Sequence, residues 1–374
     1  MAQTDQYFMA QAIRLARKGW YTTFPNPRVG CVLTKNNHVI AEGWHKKAGE
    51  GHAEVNALAE IDDASGATAY VTLEPCSHQG KTPPCADALI NAGVSRVVIA
   101  MEDPNPLVAG NGIKKMQAAG IDVTCGVLEA EARILNTGFI SRMEHSRPFI
   151  RCKLAMSLDG RTGMQSGESQ WITGSSARTQ VQRIRAASSA IITGISSIIY
   201  DDSSLTVRPD QLNLPQGEEI CQRQPLRVVL DSQLRTPLTA KILRQPGETV
   251  IAFCQADPVK LAEIKALGVT CVRLPADPTG RVALAPLMEY LHDRECNDVL
   301  LETGATLAGA FAQAGLIDEL IIFMAPTLLG HGARGLLNLP GIDKMADQML
   351  LELKDCRLVG NDLMLTASFK GKSE

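Results

Sequence analysis

The sequence is poor in aromatic residues and has no cluster of positive charge. Phenylalanine, tyrosine and tryptophan make up 4% of its 374 residues, and the formal net charge is −3. Proteins that bind nucleic acids usually present basic surfaces with aromatic side chains on which bases stack. The composition therefore argues against a nucleic-acid partner.

Long apolar segments are also absent from the sequence. No uninterrupted run approaches the roughly 18–20 apolar residues that span a bilayer, so we expect no membrane association. Residues 1–14 lack the apolar core of a signal peptide, and we expect no secretory signal. Together these expectations favour a cytoplasmic protein.

The cysteines do not follow a disulfide pattern. The sequence contains 10 of them, scattered along its length, and two belong to the motif described next. The others lie mostly in apolar runs, which is typical of reduced core residues in cytosolic proteins. They are Cys31, Cys125, Cys152, Cys221, Cys254, Cys271, Cys296 and Cys356.

One short constellation carries specific chemistry. His52 and Glu54 are separated by one residue, Pro75 and Cys76 follow, and Cys85 comes after an eight-residue gap. One imidazole and two thiolates suit zinc, and three protein ligands leave one tetrahedral position for water. A histidine–x–glutamate followed by a proline–cysteine pair is the signature of zinc-dependent nucleobase deaminases. The motif predicts one catalytic zinc per chain, bound by His52, Cys76 and Cys85.

Glu54 is predicted to be the catalytic acid–base. At the start of a helix its spacing from His52 lets both side chains approach the same metal-bound water. Glu54 could then take the proton of that water, protonate a ring nitrogen and later protonate the leaving ammonia. Two alternatives stay open: Glu54 could only favour the first helical turn, and His78 could complete a purely structural zinc site.

The gap between the two cysteines departs from the commonest deaminase spacing, in which two residues separate them. The residues 77–84 include two prolines and a glycine, and they bring His78 and Lys81 beside the metal. These two side chains could reach a polar group of the substrate such as a phosphate; the alternative is a solvated loop without ligand contacts. Asn26 and His45 flank the first predicted hairpin and are further candidate pocket donors.

The length of the chain favours two domains. The first half alternates strand and helix signals, as in a three-layer α/β/α sandwich. The charged segment Arg142–Pro148 interrupts that pattern, and Pro148 cannot continue a helix. We therefore predict domains over 1–146 and 147–374. In the first, strands are predicted over 29–34, 39–43, 67–73, 96–101 and 121–125, and helices over 5–18, 85–91 and 112–119 and from 52 and 129.

The second half restarts with a strand and reads as a further α/β domain. Residues 209–224 are polar and are predicted to form an exposed loop. Strands are predicted over 149–156, 190–193, 226–231, 249–254, 269–274, 298–302 and 320–325, with an antiparallel pair over 349–369. Helices are predicted over 175–188, 258–266, 285–294 and 307–314.

Taken alone, the second half carries weaker functional signals. Glu302 ends an apolar strand, at the sheet edge where ligands bind in open α/β folds. The run Gly304–Gly309 then opens a helix whose amides would favour a phosphate, although it is not the glycine fingerprint of an ordinary Rossmann fold. Arg185 and Arg208 could each hold a phosphate. A tight strand–helix turn and solvated arginines are the alternatives.

Seven sequence runs together resemble one known family over nearly the whole chain. They resemble the bacterial bifunctional deaminase–reductase of riboflavin biosynthesis, and the long cysteine loop is highly specific to it. The resemblance implies a cytidine-deaminase-like α/β/α sandwich followed by a dihydrofolate-reductase-like α/β domain. The runs are 26–31, 49–55, 73–85, 153–161, 166–172, 201–208 and 302–304.

The resemblance implies two consecutive reactions. The first domain would hydrolytically deaminate 2,5-diamino-6-ribosylamino-4(3H)-pyrimidinone 5′-phosphate with zinc. The second would reduce the ribosyl group of the product to ribityl with NADPH. Phosphorylated pyrimidines are thus the expected partners, and a homo-oligomer, dimer or tetramer, is expected. Because nicotinamide supplies the hydride, no single acid–base residue is predicted in the second domain.

The resemblance also implies which residues contact the ligands. The deaminase substrate would contact Asn26, His45, His78 and Lys81. The reductase substrate would contact Ser169, Arg185, Leu205, Arg208 and Glu302. The cofactor site would be lined by Ala155, Trp171, Ser197, Asp201, Ser232, Gly304, Ala305, Thr306, Leu307, Ala308, Gly309 and Ala310.

The competing hypothesis is a zinc deaminase of nucleic acids or free nucleobases. Its second half would be a nucleotide-binding module without catalytic activity. The few aromatics and the negative net charge argue against the nucleic-acid form.

Overall fold

The computed structural model describes residues 2–77, 83–106 and 108–371. The chain forms two compact units, Met1–Arg147 and Pro148–Glu374. None of the helices in the described ranges is both long and apolar enough to cross a membrane.

The first unit is built on a five-stranded sheet with the order β2-β1-β3-β4-β5. The strand β1 is antiparallel to both of its neighbours, β2 and β3, whereas β3, β4 and β5 are parallel to one another. The strands are β1 Gly30–Lys35, β2 His38–Trp44, β3 Thr68–Val71, β4 Arg96–Ile99 and β5 Asp122–Cys125. The helices are α1 Ala2–Ala16, α2 Ala53–Leu58, α3 Cys85–Asn91, α4 Asn111–Ala118, α5 Glu129–Leu135 and α6 Thr137–His145.

Helices cover both faces of this sheet. Val32, Tyr70 and Val98 point to one face, where they pack with apolar residues of α1 and α5. Their neighbours along the strands alternate to the opposite face and pack with α2, α3 and α4. The period-two alternation of buried side chains thus produces the three-layer sandwich that the sequence predicts.

The interruption predicted from Arg142 onward is wrong in part. The helix α6 continues to His145, because Phe139 and Ile140 are buried and fix its apolar side. It ends at Ser146, which adopts a left-handed backbone conformation with φ of 54°.

The second unit contains a nine-stranded sheet with the order β11-β10-β9-β8-β12-β6-β13-β16-β15. Seven strands are parallel, and β16 and β15 close one edge as an antiparallel pair. These strands are β6 Phe149–Ser157, β8 Ala190–Gly194, β9 Leu226–Leu230, β10 Thr249–Phe253, β11 Thr270–Arg273, β12 Asp298–Glu302, β13 Glu319–Ala325, β15 Leu351–Val359 and β16 Asp362–Phe369. A separate small pair joins β7 Arg161–Gly163 and β14 Arg334–Gly335.

Helices pack on both faces of the large sheet as well. Ile191, Val229 and Ile251 pack toward α8 and α11, while Ile192, Val228 and Val250 pack toward α12 and α13. The helices are α7 Ser175–Ala186, α8 Ile195–Asp201, α9 Pro209–Leu212, α10 Gly217–Cys221, α11 Pro258–Ala266, α12 Leu284–Asp293 and α13 Ala305–Gln313.

The loop predicted over 209–224 is also wrong in part, since it contains α9 and α10. Pro209 begins α9, where its fixed φ suits a first helical turn. Leu212 and Ile220 are buried beneath an otherwise polar surface. Two buried apolar residues in a polar segment are too few to give the regular spacing of apolar residues that predicts a helix.

All ten cysteines are free thiols. Cys31, Cys152, Cys254 and Cys296 are buried outside the zinc motif, as expected for reduced core residues. Cys125 and Cys356 are instead exposed.

Candidate active sites

The three predicted zinc ligands converge in the first unit. His52 Nδ1 lies 3.2 Å from Cys85 Sγ and 3.7 Å from Cys76 Sγ. The three ligand atoms all lie within 4.8 Å of one another. No other cluster of metal-ligating side chains of this kind occurs among residues 2–77, 83–106 and 108–371.

These distances fit a tetrahedral zinc. Bonds of about 2.0 Å to nitrogen and about 2.3 Å to sulfur place such ligand atoms about 3.6–3.8 Å apart. The donor set of one imidazole and two thiols is the one found at catalytic zinc sites with an open position. The residues present therefore fit the metal.

Helix ends hold two of the ligands. His52 is the residue just before α2, in extended conformation, and Cys85 is the first residue of α3. The backbone N–H of Cys85 also donates to Cys76 Sγ at 3.3 Å, and that of Ala86 donates to the carbonyl of Cys76 at 3.1 Å. The start of α3 is therefore hydrogen-bonded to both the sulfur and the carbonyl of Cys76.

Glu74 anchors the turn that carries Cys76. Its buried carboxylate accepts backbone N–H groups from Asp103, Gly110, Gly112 and Ile113 at 2.8–3.2 Å. A side chain at Gly112 would clash with the carbonyl of Pro75, because a Cβ there would lie 2.1 Å from it. This role of Glu74 was not predicted from the sequence, although a carboxylate directly after the strand predicted over 67–73 was the available signal.

Glu54 lies in the first turn of α2 and is 3% exposed. Burial raises the pKa of its carboxyl group to about 7. A carboxyl with a pKa near the working pH can both accept and return a proton. Its carboxyl group interacts with Cys76, His52 and Cys85, which puts it beside the three ligands.

The two thiols influence each other. Hydrogen bonding with Cys85 and His52 lowers the pKa of Cys76 to about 4, against the opposing effect of burial. Hydrogen bonding with Cys76 and burial raise the pKa of Cys85. A bound divalent cation would ionise both thiols, because a coordinating thiol loses its proton.

Asn26 and His45 lie next to the ligand cluster. The His45 and His52 rings pack edge-on with centroids 5.4 Å apart. His45 Nδ1 lies 3.1 Å from the carbonyl of Gly51, which can only accept, so Nδ1 carries the proton. Burial lowers the pKa of His45, and the neutral ring accepts from Asn26 Nδ2 through Nε2 at 3.1 Å. The other two predicted contacts, His78 and Lys81, lie outside the described residues.

The second unit contains a cavity of about 1960 Å³. It opens where several parallel strands end, since Gly194, Leu230 and Glu302 all belong to its wall. Most residues predicted for the reductase line it: Ala155, Ser169, Trp171, Arg185, Ser197, Asp201, Leu205, Arg208, Ser232, Glu302, Gly304, Ala305, Thr306, Leu307 and Ala310.

Two residues of the predicted cofactor stretch face away from this cavity. Ala308 is fully buried in the core. Gly309 packs against the backbone of Asn338, and a Cβ there would lie 1.9 Å from its carbonyl oxygen. A helix turns by about 100° per residue, so Ala308 and Gly309 face the core while Thr306, Leu307 and Ala310 face the cavity.

Arg185 and Glu302 form a two-pronged ion pair in the cavity wall, with N–O distances of 2.8 and 2.7 Å. Burial opposes ionisation of Glu302, but the Arg185 guanidinium outweighs it and lowers the pKa of Glu302 to about 2. Ser169 also donates to Asp201 at 3.2 Å. The cavity thus contains a fixed carboxylate and a fixed guanidinium at one place.

Lys153 is a cavity residue that the sequence analysis did not single out. It lies opposite Glu302 in the register of β6 and β12, and burial lowers the pKa of its ammonium group. The signal was a lysine inside an apolar strand, which is unusual unless the charge has a partner.

Comparisons with known proteins match each half of the chain to a known family. Residues 2–101 match the model of the cytidine and deoxycytidylate deaminase zinc-binding region, and residues 148–365 match the RibD C-terminal domain. The riboflavin biosynthesis protein RibD of Escherichia coli is 50% identical over 365 residues, covering 96% of this chain and 98% of that protein. Its Haemophilus influenzae counterpart is 47% identical over 377 residues, covering 98% of both.

Solved structures give the same result. An Acinetobacter baumannii RibD structure superposes with a TM-score of 0.91 at 47% identity, covering 99% of this chain and 100% of that one. A Thermotoga maritima deaminase and reductase superposes with a TM-score of 0.84 at 30% identity, covering 98% and 99%. It is described as a diaminohydroxyphosphoribosylaminopyrimidine deaminase and 5-amino-6-(5-phosphoribosylamino)uracil reductase.

The fold and the two sites define a bifunctional enzyme: a zinc-dependent deaminase of the cytidine deaminase type and an NADPH-dependent reductase similar to dihydrofolate reductase. It acts in riboflavin biosynthesis. The chain belongs to the RibD family.

Proposed function

We propose that residues 1–146 carry the deaminase activity and residues 147–374 the reductase activity. The substrate of the first reaction is 2,5-diamino-6-ribosylamino-4(3H)-pyrimidinone 5′-phosphate, and the second reduces the ribosyl group of its product. The observation that carries this assignment is the cluster of His52, Cys76 and Cys85 beside the buried Glu54. The two activities named for the Thermotoga maritima protein support it.

In the deaminase site, His52, Cys76 and Cys85 would hold the zinc. When bound, zinc would lower the pKa of a water molecule and make it a nucleophile near neutral pH. Glu54 accepts a proton from the attacking water and passes it to the ring nitrogen beside the amine-bearing carbon, to which the hydroxyl group adds. Glu54 then takes the proton of that hydroxyl group and gives it to the amine, so that the C–N bond breaks, a carbonyl forms and ammonia is released. Burial of Glu54 keeps both of its protonation states accessible.

Asn26 and His45 orient the pyrimidine in this site. Their mutual hydrogen bond leaves the second N–H of the Asn26 amide for a ring acceptor. His78 and Lys81 contact the substrate from the loop between the cysteines, and Lys81 is the natural partner for its phosphate.

In the reductase site, the protein orients its ligands and excludes water. NADPH supplies the hydride when bound. Arg185, Glu302 and Arg208 hold the substrate, with Ser169 and Leu205 beside them. Glu302 accepts hydrogen bonds from the hydroxyl groups of the sugar, and Arg208 faces the phosphate. The cofactor lies along the cavity wall formed by Ala155, Trp171, Ser197, Asp201, Ser232, Ala310 and the segment Gly304–Leu307.

The ligands are small phosphorylated pyrimidines, and we place the enzyme in the cytoplasm as a homo-oligomer. This compartment is reducing, and none of the ten cysteines forms a disulfide.

One experiment tests the assignment. Ammonia release and NADPH oxidation are followed together after adding the diaminopyrimidine substrate to the full-length enzyme. Wild type should produce both signals in equal amounts, ammonia first. Glu54→Gln should lose most of both signals with that substrate, yet oxidise NADPH normally with the deaminated intermediate. Ammonia without subsequent NADPH oxidation would contradict the reductase assignment, and ammonia release by Glu54→Gln within tenfold of the wild-type rate would contradict the role of Glu54.

A further inference from the structure

Asn136 lies at the junction of α5 and α6 and is 1% exposed. Its amide makes two hydrogen bonds to one residue. Oδ1 accepts the backbone N–H of Arg28 at 2.8 Å, and Nδ2 donates to the Arg28 carbonyl at 3.0 Å. An asparagine just before a helix usually accepts an N–H of that helix, but the Asn136 side chain makes no such cap on α6. It binds instead to a segment 108 positions away in the sequence.

The segment that Asn136 binds, residues 20–29, forms neither helix nor strand. A buried segment of this kind has no neighbouring strand to pair with its backbone, so other groups must do so. Two residues of paired strands exchange one N–H and one C=O bond in each direction. The Asn136 amide offers Arg28 the same two partners, and it thereby fixes the backbone of the segment at that residue.

The Arg28 side chain strengthens the same junction. Its guanidinium donates to the carbonyl of Leu135 at 2.7 Å, and it packs over the rings of Trp20 and Phe24, whose centroids lie 4.3 and 4.9 Å away. Arg28 is itself 5% exposed. The hydrogen bonds that join Arg28 to Leu135 and Asn136 are called the Arg28 clamp below.

The segment held by the Arg28 clamp carries Asn26, two residues before Arg28. Asn26 Nδ2 donates to His45 Nε2 at 3.1 Å, and the backbone N–H of His45 donates to the carbonyl of Val29 at 2.9 Å. The Arg28 clamp therefore lies between the two points at which the segment contacts His45. A shift of Arg28 would move the Asn26 amide, and a hydrogen bond weakens steeply once its distance or angle is lost.

We propose that Asn136 is a positioning residue of the deaminase site, where it holds Asn26 in place for the pyrimidine through the backbone of Arg28. The proposal rests on the deaminase activity proposed above. A group that contacts the substrate is effective only when other contacts fix its orientation. Because Asn136 acts on the position of Asn26, its loss should weaken substrate binding and leave the bound metal and the proton transfer by Glu54 unchanged.

A purely structural role is the alternative, because buried asparagine amides commonly satisfy backbone groups. Removal of the amide would then lower the melting temperature and leave KM as it is in wild type. Ile140, which is 6% exposed in α6, offers a matched control. Ile140→Ala lowers the stability of the same region through lost core packing, while both hydrogen bonds of Asn136 remain.

Steady-state ammonia release by the zinc-loaded, full-length enzyme measures the effect. Asn136→Leu removes both hydrogen bonds and should raise the KM for the diaminopyrimidine about tenfold, with kcat within about threefold of wild type. Asn136→Asp keeps the shape and the acceptor but loses the donor, and it should raise KM in the same direction. It carries the test if Asn136→Leu does not fold. Ile140→Ala should leave KM unchanged.

A double-mutant cycle shows whether Asn136 acts through Asn26. Asn26→Ala removes the group that Asn136 is proposed to hold, so Asn136→Leu should change KM no further in that background. The double variant should accordingly have the KM of Asn26→Ala alone. Effects that multiply would show that Asn136 acts on another part of the site.

Nitrogen NMR of the histidine rings tests the geometry without a substrate. In zinc-loaded enzyme with isotope-labelled histidine, Asn136→Leu should move the Nε2 signal of His45 in the same direction as Asn26→Ala does. Both changes remove the hydrogen bond that Asn26 donates to that nitrogen. The variant His45→Gln identifies the signal by its loss.

Three results would overturn the proposal: a KM unchanged in both Asn136 variants, effects that multiply in the double variant, or a His45 signal that Asn136→Leu does not move. Wild-type enzyme that released no ammonia would instead refute the deaminase assignment. The NMR measurement would then still decide whether Asn136 holds Asn26, so the two failures are distinguishable.

Discussion

The two sites of this chain are built in opposite ways. The deaminase site concentrates its chemistry in four side chains, three of which bring their ligand atoms within 4.8 Å of one another. The reductase cavity is about 1960 Å³ in volume and is lined by side chains from many elements. In the first, protein groups bind the metal and move the proton. In the second, the cofactor supplies the hydride and the protein holds two ligands in place.

This difference has a consequence for mutagenesis. Where one group performs a step, its removal abolishes the step. Where many contacts share the binding of a ligand, the removal of one contact weakens binding only by the contribution of that contact. The following predictions test that contrast.

The largest effect is expected from loss of a metal ligand. His52→Ala leaves two thiols, so the bound zinc should fall from one per chain to near zero and ammonia release should become undetectable. Metal analysis of the purified protein and an ammonia assay measure this. NADPH oxidation with the deaminated intermediate should stay within twofold of wild type. Full retention of zinc would refute the ligand assignment.

Glu54→Gln should be nearly as severe while leaving the metal in place. The amide keeps the shape of the side chain but cannot carry the proton, so the rate of ammonia release should fall about 10²–10⁴-fold. Zinc content should remain at one per chain, which distinguishes this variant from His52→Ala. Turnover within tenfold of wild type would show that another group moves the proton.

A change in the reductase wall should cost less. Glu302→Gln removes the charge from a carboxylate that pairs with Arg185, and a charged hydrogen bond is worth about 1.5–3 kcal/mol. The KM for the deaminated substrate should rise about tenfold to a hundredfold, with ammonia release unchanged. Steady-state NADPH oxidation measures this. A loss as complete as that of Glu54→Gln would contradict the contrast between the two sites.

The same ion pair should make the second unit sensitive to acid. The pKa of Glu302 is about 2 in the folded protein, against an ordinary value of 4.5. A carboxyl group with a lowered pKa stabilises the fold above its unfolded pKa, and that stabilisation is lost as the pH falls toward the folded value. NADPH binding raises the melting temperature of the second unit and so identifies its transition. The melting temperature of that transition should therefore fall by several degrees between about pH 4.5 and pH 2.

Thermal unfolding across that pH range checks the effect. Glu302→Gln should flatten the pH dependence relative to wild type. Equal slopes for wild type and Glu302→Gln would mean that this pair does not control the acid sensitivity.

The contrast also explains how much the sequence could predict. The zinc ligands and Glu54 were identifiable because few other chemistries need those residue types at those spacings, and the structure brings them together. The strands were identifiable where buried residues alternate, as in β6, or follow one another in a short apolar run, as in β1. In both cases the signal is local along the chain.

The remaining features depend on contacts that are distant in sequence. The resemblance implies that Ala308 and Gly309 line the cofactor site, but the rotation of α13 turns Ala308 into the core and Gly309 against the backbone of Asn338. The helices α9 and α10 depend on the burial of Leu212 and Ile220. Lys153 gains its significance only from Glu302 on the adjacent strand.

The way Cys76 is secured bears on how two of the metal ligands keep their relative position. Glu74 fixes the chain on one side of Cys76, and the N–H groups of Cys85 and Ala86 fix it on the other. Neither anchor involves the intervening residues 77–84. The position of Cys76 relative to Glu74 and to the first turn of α3 is thus determined by these hydrogen bonds, so two of the metal ligands stay in place through contacts on either side of the segment between them.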